Sequence, residues 1–451
     1  MLIGKYLGFE EYENENGKKI SIEDQEDALL RIFHLAGYFH LTKIWKDWNS
    51  MGFFENLQEI FEKISFIIKC SNANHNDPNE FNVKYFRENV FEKSLLNDED
   101  CLDWILYLSQ HAFGRSIGQE RYEMKSLHWI HQNEHYFIEQ VRLLRLVDRQ
   151  CPILKQFDQC WIAGASRLSL SQRILDYKYQ ILSKNIQING QTLILAGERE
   201  LWANIDGISP KISEELFQIS KNHLDINQID FSSIETTDSE IIQEGKEYLL
   251  NLSRIHGIEL NSSQPFIEYQ TKDQCSNDRF PNRIYLNYEN SQKKLTETLL
   301  SEDLIKTYLE ETFSSIEIVD TSANEQIRPN TASTAQDATE KFIQQIFNGD
   351  FREKKLFHIL LWSNNPSIER QTLVTQRKVN SILEKSNLIE NNYKISIHGI
   401  GCSSNVNLEI VHSELGALIT EKYLWLFEQQ KKQGEIKKKR NINDLLFQTR
   451  K

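Results

Sequence analysis

Five short apolar runs, all beyond residue 159, constrain this chain more than any other feature. They are "CWIAGA" (160–165), "TLILAG" (192–197), "SIEIVDT" (315–321), "LFHILLWS" (356–363) and "KISIHGI" (394–400). Apolar runs of this length, bounded by turn residues, suit strands that are covered on both faces. Patterns of helical period separate most of them, at 169–183, 334–347, 368–387 and 409–430. Strand alternating with helix points to an α/β fold: a Rossmann-like, mainly parallel sheet flanked by helices. "RIYLNY" (283–288) is a further candidate strand. Residues 203–282 are polar and weakly periodic apart from a helical pattern at 240–255, and they read as an insertion.

The segment before the first run has a different character. In "DALLRIFHLAGYFHLTKIW" the residues Leu29, Ile32, Phe33, Leu35 and Phe39 fall on one helical face. "FFENLQEIFEKISFIIK" repeats the pattern through Leu57, Ile60, Phe61, Ile64 and Ile67. No strand pattern stands out there. The expected organisation is an all-helical domain over 1–155, the α/β domain over 156–427 and a basic tail over 428–451.

Charge separates the tail from the body. The chain of 451 residues carries a net −13, yet residues 428–451 hold eight Lys/Arg against three Asp/Glu. That surplus of +5 leaves −18 for the rest. An acidic body repels nucleic acid, so nucleic acid is not an expected partner. The run "KKKR" (437–440) reads as a solvated helix end, with a targeting signal or a protein contact as the other readings. No apolar run reaches the roughly 18–20 residues of a membrane span. "MLIGKYLGFEEYENENGKK" lacks the basic-then-apolar pattern of a secretory signal. Six scattered Cys (70, 101, 151, 160, 275, 402) form no CxxC pair. Reduced thiols in a cytoplasmic protein are the expectation.

In an open parallel sheet, ligands bind beyond the carboxyl ends of the strands, so the residues after each run are the candidates. The first run is followed by Gly164, Ser166 and Arg167, with Arg173 a turn into the helix. The second gives Gly197, Glu198 and Arg199; the third gives Asp320, then Asn330 and Thr331; the fourth gives Arg370 and Gln371. Glycine permits close backbone approach, and helix N-termini with several arginines favour an anion. Arg167, Arg199 and Arg370 stand at three separate strand ends of an acidic chain. An anionic small molecule is therefore the expected ligand, with Asp320 and Glu198 as candidate acid–base carboxylates. The bland reading is that these residues are caps, surface groups and partners of nearby acids.

At "IAGASRLSLSQRI", "LILAGERELW", "IEIVDTSANEQIRPNTASTAQDA" and "ILLWSNNPSIERQTLVTQRK" the chain resembles the bacterial YdcF/SanA-like family, domain of unknown function 218, over roughly 157–425. The resemblance implies a Rossmann-like sheet and a pocket for a nucleotide-like molecule. Carried over residue by residue, it points to Gly164, Arg167, Arg173, Gly197, Thr331 and Arg370. The Gly-Glu-Arg ending of the second strand and the long helical N-terminal part depart from the family pattern.

Other chemistry is weaker in the sequence. His128, His131, His135 and Glu139 are spaced for one helix face, as metal ligands or as a solvated polar face. Cys402 or Ser166 as nucleophile would need a base, and His398 is close to Cys402 only in sequence. No GxxxxGK[ST] loop occurs; "AFGRSIGQE" (112–120) follows no strand and reads as a turn. No metal and no cofactor is assigned. A hydrolase or transferase acting on a phosphorylated metabolite is the first functional expectation. The alternative is a non-catalytic interaction or regulatory protein that uses its helical domain and basic tail.

Overall fold

The computed structural model describes residues 4, 7–14, 17–37, 39, 57–74, 77–92, 105–106, 108–109, 113, 127–201, 206, 239–258, 295–309, 316–322, 329–351, 354–402 and 408–433. The expected strand at 283–288, most of the 203–282 segment and the basic residues 434–451 lie outside them. The chain divides into two units, residues 1–147 with 408–451, and residues 148–407.

In the first unit, β1 (Tyr12–Glu13) and β2 (Lys19–Ile20) form a small antiparallel hairpin. Gly17, at φ +74, supplies the left-handed turn residue. The expectation of an all-helical N-terminal part is corrected here: two-residue strands are too short to show an alternation. The hairpin forms no part of the main sheet. Helix α1 (Ile22–Leu35) starts at a capping box in which Ser21 and Asp24 satisfy each other's backbone N–H. It is followed by α2 (Leu57–Cys70), α3 (Val83–Arg87), a π-helical turn (Glu88–Glu92), α4 (His128–Gln132) and α5 (Glu134–Leu143). Phe33, Phe86, Phe113 and Phe137 are fully buried among them.

The second unit is the α/β body. Its elements are β3 (Gln156–Phe157), β4 (Gln159–Ala163), α6 (Arg167–Leu182), β5 (Gln187–Ile188), β6 (Thr192–Gly197), α7 (Ser239–Ile255) and α8 (Glu297–Tyr308). Then come β7 (Ile316–Thr321), α9 (Thr331–Phe347), β8 (Leu356–Asn364), α10 (Ile368–Lys385) and β9 (Lys394–Cys402). The long last helix, α11 (Leu408–Gln433), belongs to the first unit. The α/β body therefore stops at 407, and not at the expected 427. The first six residues of the expected tail, 428–433, are helical.

The five long strands pair in parallel in the order β7-β6-β4-β8-β9. Numbered within the sheet, that is 3-2-1-4-5, the first five places of the Rossmann strand order. Strand alternation sends Cys160, Ile162, Ile194, Leu360 and Trp362 to one face, where Leu170, Ile174 and Tyr177 of α6, Leu249 and Leu252 of α7, and Leu300 and Leu304 of α8 cover them. Trp161, Leu193, Leu195, Ile359 and Leu361 point to the other face, under Ala338 and Phe342 of α9 and Val379 and Leu383 of α10. The inner strands β4, β6 and β8 are buried on both faces, which is why they read as continuous apolar runs, while the outer β7 and β9 keep polar residues in alternation. The helix inside the expected insertion, α7, is thus part of a core layer.

Candidate functional site

The strand order creates one topological switch point. After β4 the chain turns to the face covered by α6; after β8 it turns to the opposite face, covered by α10. The carboxyl ends of these two neighbouring strands are where a crevice opens in such sheets.

Arg173 ties the two strand ends together. Its Nη1 donates to the carbonyls of Ala163 and Gly164, the latter at 2.9 Å, and its Nε donates to Asn364 Oδ1. Asn364 in turn donates through Nδ2 to Gln172 Oε1. Asn365 is equally engaged: its Nδ2 donates to the carbonyl of Asp148, and its Oδ1 accepts from Gln150 at 3.2 Å. Ser363 donates to Gln371 Oε1, which makes Gln371 a packing partner of β8. Below, Arg149 and Asp176 form a buried bidentate pair at 2.6 and 2.8 Å, with Trp362 Nε1 donating to Asp176 at 2.9 Å.

The endings of β4 and β6 lie side by side, the N–H of Gly164 donating to the carbonyl of Leu195 at 2.9 Å. Arg199 is buried and grips Asp206 through both terminal nitrogens, at 2.8 and 3.0 Å. Burial opposes its charge, but the carboxylates of Asp206 and Glu297 together outweigh burial and hold the guanidinium protonated. Asp206 also accepts from the backbone N–H of Arg167 at 3.1 Å. An internal carboxylate thus sits at the first N–H of α6, where such folds place an anionic ligand. The Arg167 guanidinium is buried and stacks 3.7 Å above the centre of the Tyr248 ring.

The glycines are likewise explained from within. A Cβ on Gly164 would lie 2.4 Å from the Leu195 carbonyl and 2.9 Å from Glu297 Oε1. A Cβ on Gly197 would lie 2.6 Å from Pro329. Glu297, buried at the start of α8, accepts from the Gly197 N–H at 3.3 Å, and its own N–H donates to the Arg199 carbonyl at 2.9 Å. Asp206 and Glu297 are the two residues of this edge that the sequence reading passed over. Asp206 lay in a stretch taken as an insertion; Glu297 opens a helix that Leu300 and Leu304 on one face would have marked.

The remaining candidates spread along the edge. Asn330 is the N-cap of α9, accepting from the N–H groups of Ala332 and Ser333 at 2.9 and 3.2 Å, while Ser333 accepts from Asn330. Thr331 is the first helical residue and half-buried. Asp320 is exposed and accepts from Thr298 at 2.5 Å; its neighbour across the ladder is Ala196. Glu198 is half-buried, its N–H donating to the Thr321 carbonyl. Ser166 precedes α6 without capping it through its side chain, and Arg370, in the first turn of α10, is half-buried.

Three of the candidate arginines thus make contacts within the protein: Arg167 on the Tyr248 ring, Arg173 with Asn364 and Arg199 with Asp206. Cys402 is fully buried, and burial first, then Asp176, pushes its thiol well up. His398 stands four residues back on the same strand, about 13 Å away at strand spacing, so the two form no nucleophile–base pair. The His128–Glu139 stripe is broken at Asn133, where α4 ends and α5 begins. His131 pairs with Glu409 at 2.7 Å and His135 with Glu139 at 3.6 Å. Among the described residues no group of three or more His, Cys, Asp or Glu side chains is placed to hold a metal. No helix among them is long and apolar enough to cross a membrane. Comparison with protein-family models, with curated proteins and with solved structures returned no match.

Proposed function

We propose that residues 148–407 bind a small phosphorylated or nucleotide-derived molecule in the crevice between the carboxyl ends of β4 and β8. The observation that carries the reading is the switch point: neighbouring parallel strands whose helices leave to opposite faces. The resemblance to the YdcF/SanA-like family points the same way. Recognition in this reading falls to the backbone N–H groups of Ala165 and Ser166, with Gly164 allowing close approach, and to Arg370, because Arg173 and Arg199 are held by Asn364 and Asp206. Glu198 and Asp320, at the adjoining ends of β6 and β7, are the carboxylates available to a hydrolase or transferase reaction.

The test is mass spectrometry of small molecules released from the purified protein, followed by thermal-shift titration with nucleotides, dinucleotides and sugar phosphates. A ligand that binds the folded state raises the melting temperature, and by more the further its concentration exceeds its Kd. R370A is expected to weaken that ligand about tenfold to a hundredfold, the loss of one charge-assisted hydrogen bond of roughly 1.5–3 kcal/mol. The melting temperature of the free protein should not move. If nothing is released and no compound in the panel shifts the transition, the reading fails, and a non-catalytic interaction protein becomes the better one.

A further inference from the structure

On the outer two strands of the sheet, away from the carboxyl edge, two imidazoles meet. His358 on β8 and His398 on β9 approach through His358 Nδ1 and His398 Nε2 at 3.0 Å. The register pairs His358 with Ser396 and Leu360 with His398, so the two histidines are diagonal neighbours. They share the face of Trp362 and Ile400, at its margin, where Leu356 is 48% exposed and both rings are half-buried. Phe157 packs on His398 with ring centroids 5.6 Å apart. The backbone of His358 is pinned by its N–H to Asp158 Oδ2 at 2.8 Å. The two rings are therefore held from a ladder of nine paired residues, a more rigid mount than a loop.

We propose that His358 and His398 form a two-histidine site for a divalent transition metal, Cu(II) or Ni(II) by preference. Two neutral imidazoles meeting nitrogen to nitrogen share a single proton, one ring donating and the other accepting. A metal ion takes the place of that proton, and the ring that carried it takes up a proton from solvent on its other nitrogen as the first is released, so both ligands remain neutral imidazoles. With metal–nitrogen bonds of about 2.05 Å, a 3.0 Å spacing gives a nitrogen–metal–nitrogen angle of roughly 94°. A tetrahedral ion would need the nitrogens about 3.3 Å apart, whereas cis positions of a square or tetragonal ion need about 2.9 Å. The observed spacing lies between the two, so the choice of metal rests on the Irving–Williams order, which favours Cu(II) and Ni(II). Among the described residues no third side chain joins the pair, so water completes the shell. The half-exposed margin of the sheet gives it access.

The experiment uses full-length protein without an affinity tag, titrated with Cu(II), Ni(II) and Zn(II) against a chromophoric chelator. One equivalent of Cu(II) should bind in wild type, with an electron paramagnetic resonance spectrum showing coupling to two nitrogens. H358Q and H398Q should each weaken the first equivalent by about tenfold or more and abolish the two-nitrogen pattern. H135Q, in an exposed pair with Glu139 on α5, should change neither. Should one of the variants fail to fold by circular dichroism, the other variant and the wild-type spectrum still decide. Binding that both substitutions leave intact, a one-nitrogen spectrum, or no binding at all would overturn the site. Zn(II) bound more tightly than Ni(II) would overturn the assignment of metal class.

Discussion

At the scale of single residues, the charged groups of the carboxyl edge answer first to each other. Arg199 and Asp206 are both buried, and removing one partner leaves the other as an uncompensated interior charge, a loss of about 3–5 kcal/mol. R199A and D206N should therefore lower the midpoint of urea unfolding sharply. A variant R199A with wild-type stability and altered ligand affinity would return Arg199 to the binding site. Thiol chemistry gives a second prediction. Cys160 and Cys402 are fully buried, and desolvation pushes both thiols well above the usual range; Cys70 and Cys151 are exposed. Iodoacetamide should therefore label the exposed Cys70 and Cys151 in the native protein and spare the buried Cys160 and Cys402. Peptide mass spectrometry reads the outcome, and rapid labelling of Cys402 would reopen its candidacy as a nucleophile.

At the scale of elements, α10 lies on β9 because two glycines leave it room. A Cβ on Gly401 would stand 2.6 Å from Ile368 Cγ2, and one on Gly399 would stand 2.6 Å from Thr372 Oγ1. G401A should destabilise by about 1–3 kcal/mol through overpacking. Ile368 is fully buried, so I368A alone should cost about 2–5 kcal/mol through its cavity. The two lesions relieve one another, since the new methyl enters the space the isoleucine leaves. A double-mutant cycle in urea should find I368A/G401A less destabilised than the sum of the singles. Additive losses would mean that the contact is made elsewhere.

At the scale of the molecule, the first unit is assembled from both ends of the chain. Val411, Leu415, Leu418 and Ile419 of α11 are buried, and His412 sits edge-on to Phe113 and Trp129. Glu409 holds His131 and the N–H of Leu127. Truncation after residue 407 should therefore strip amide protection from α1, α4 and α5 in hydrogen exchange more than from the sheet strands. Equal loss in both units, or none in the first, would show that α11 is not part of its core.

What the chain carries in its local sequence is the sheet. Four apolar residues in a row, with turn residues nearby, mark β4, β6 and β8, because strands covered on both faces need no polar side chains, whereas β9 shows as an alternation of Ile395 and Ile397 with Ser396 and His398. The helices α6, α9 and α10 were legible from their period for the same reason. Short elements held by long-range contacts were not: β1 and β2 have two residues each, and β3 pairs with β5 across thirty residues of chain. Nor was the fate of the arginines. Their positions at strand ends follow from sequence, but whether a guanidinium faces a ligand or a carboxylate depends on which distant acid arrives beside it. Asp206 reaches Arg199 and the start of α6 from a segment with no periodic signal, and Asn364 reaches Arg173 across 191 residues. Periodicity records which side of an element is buried; only the tertiary structure decides which charges meet there, since that pairing is set by distances between elements far apart in the chain.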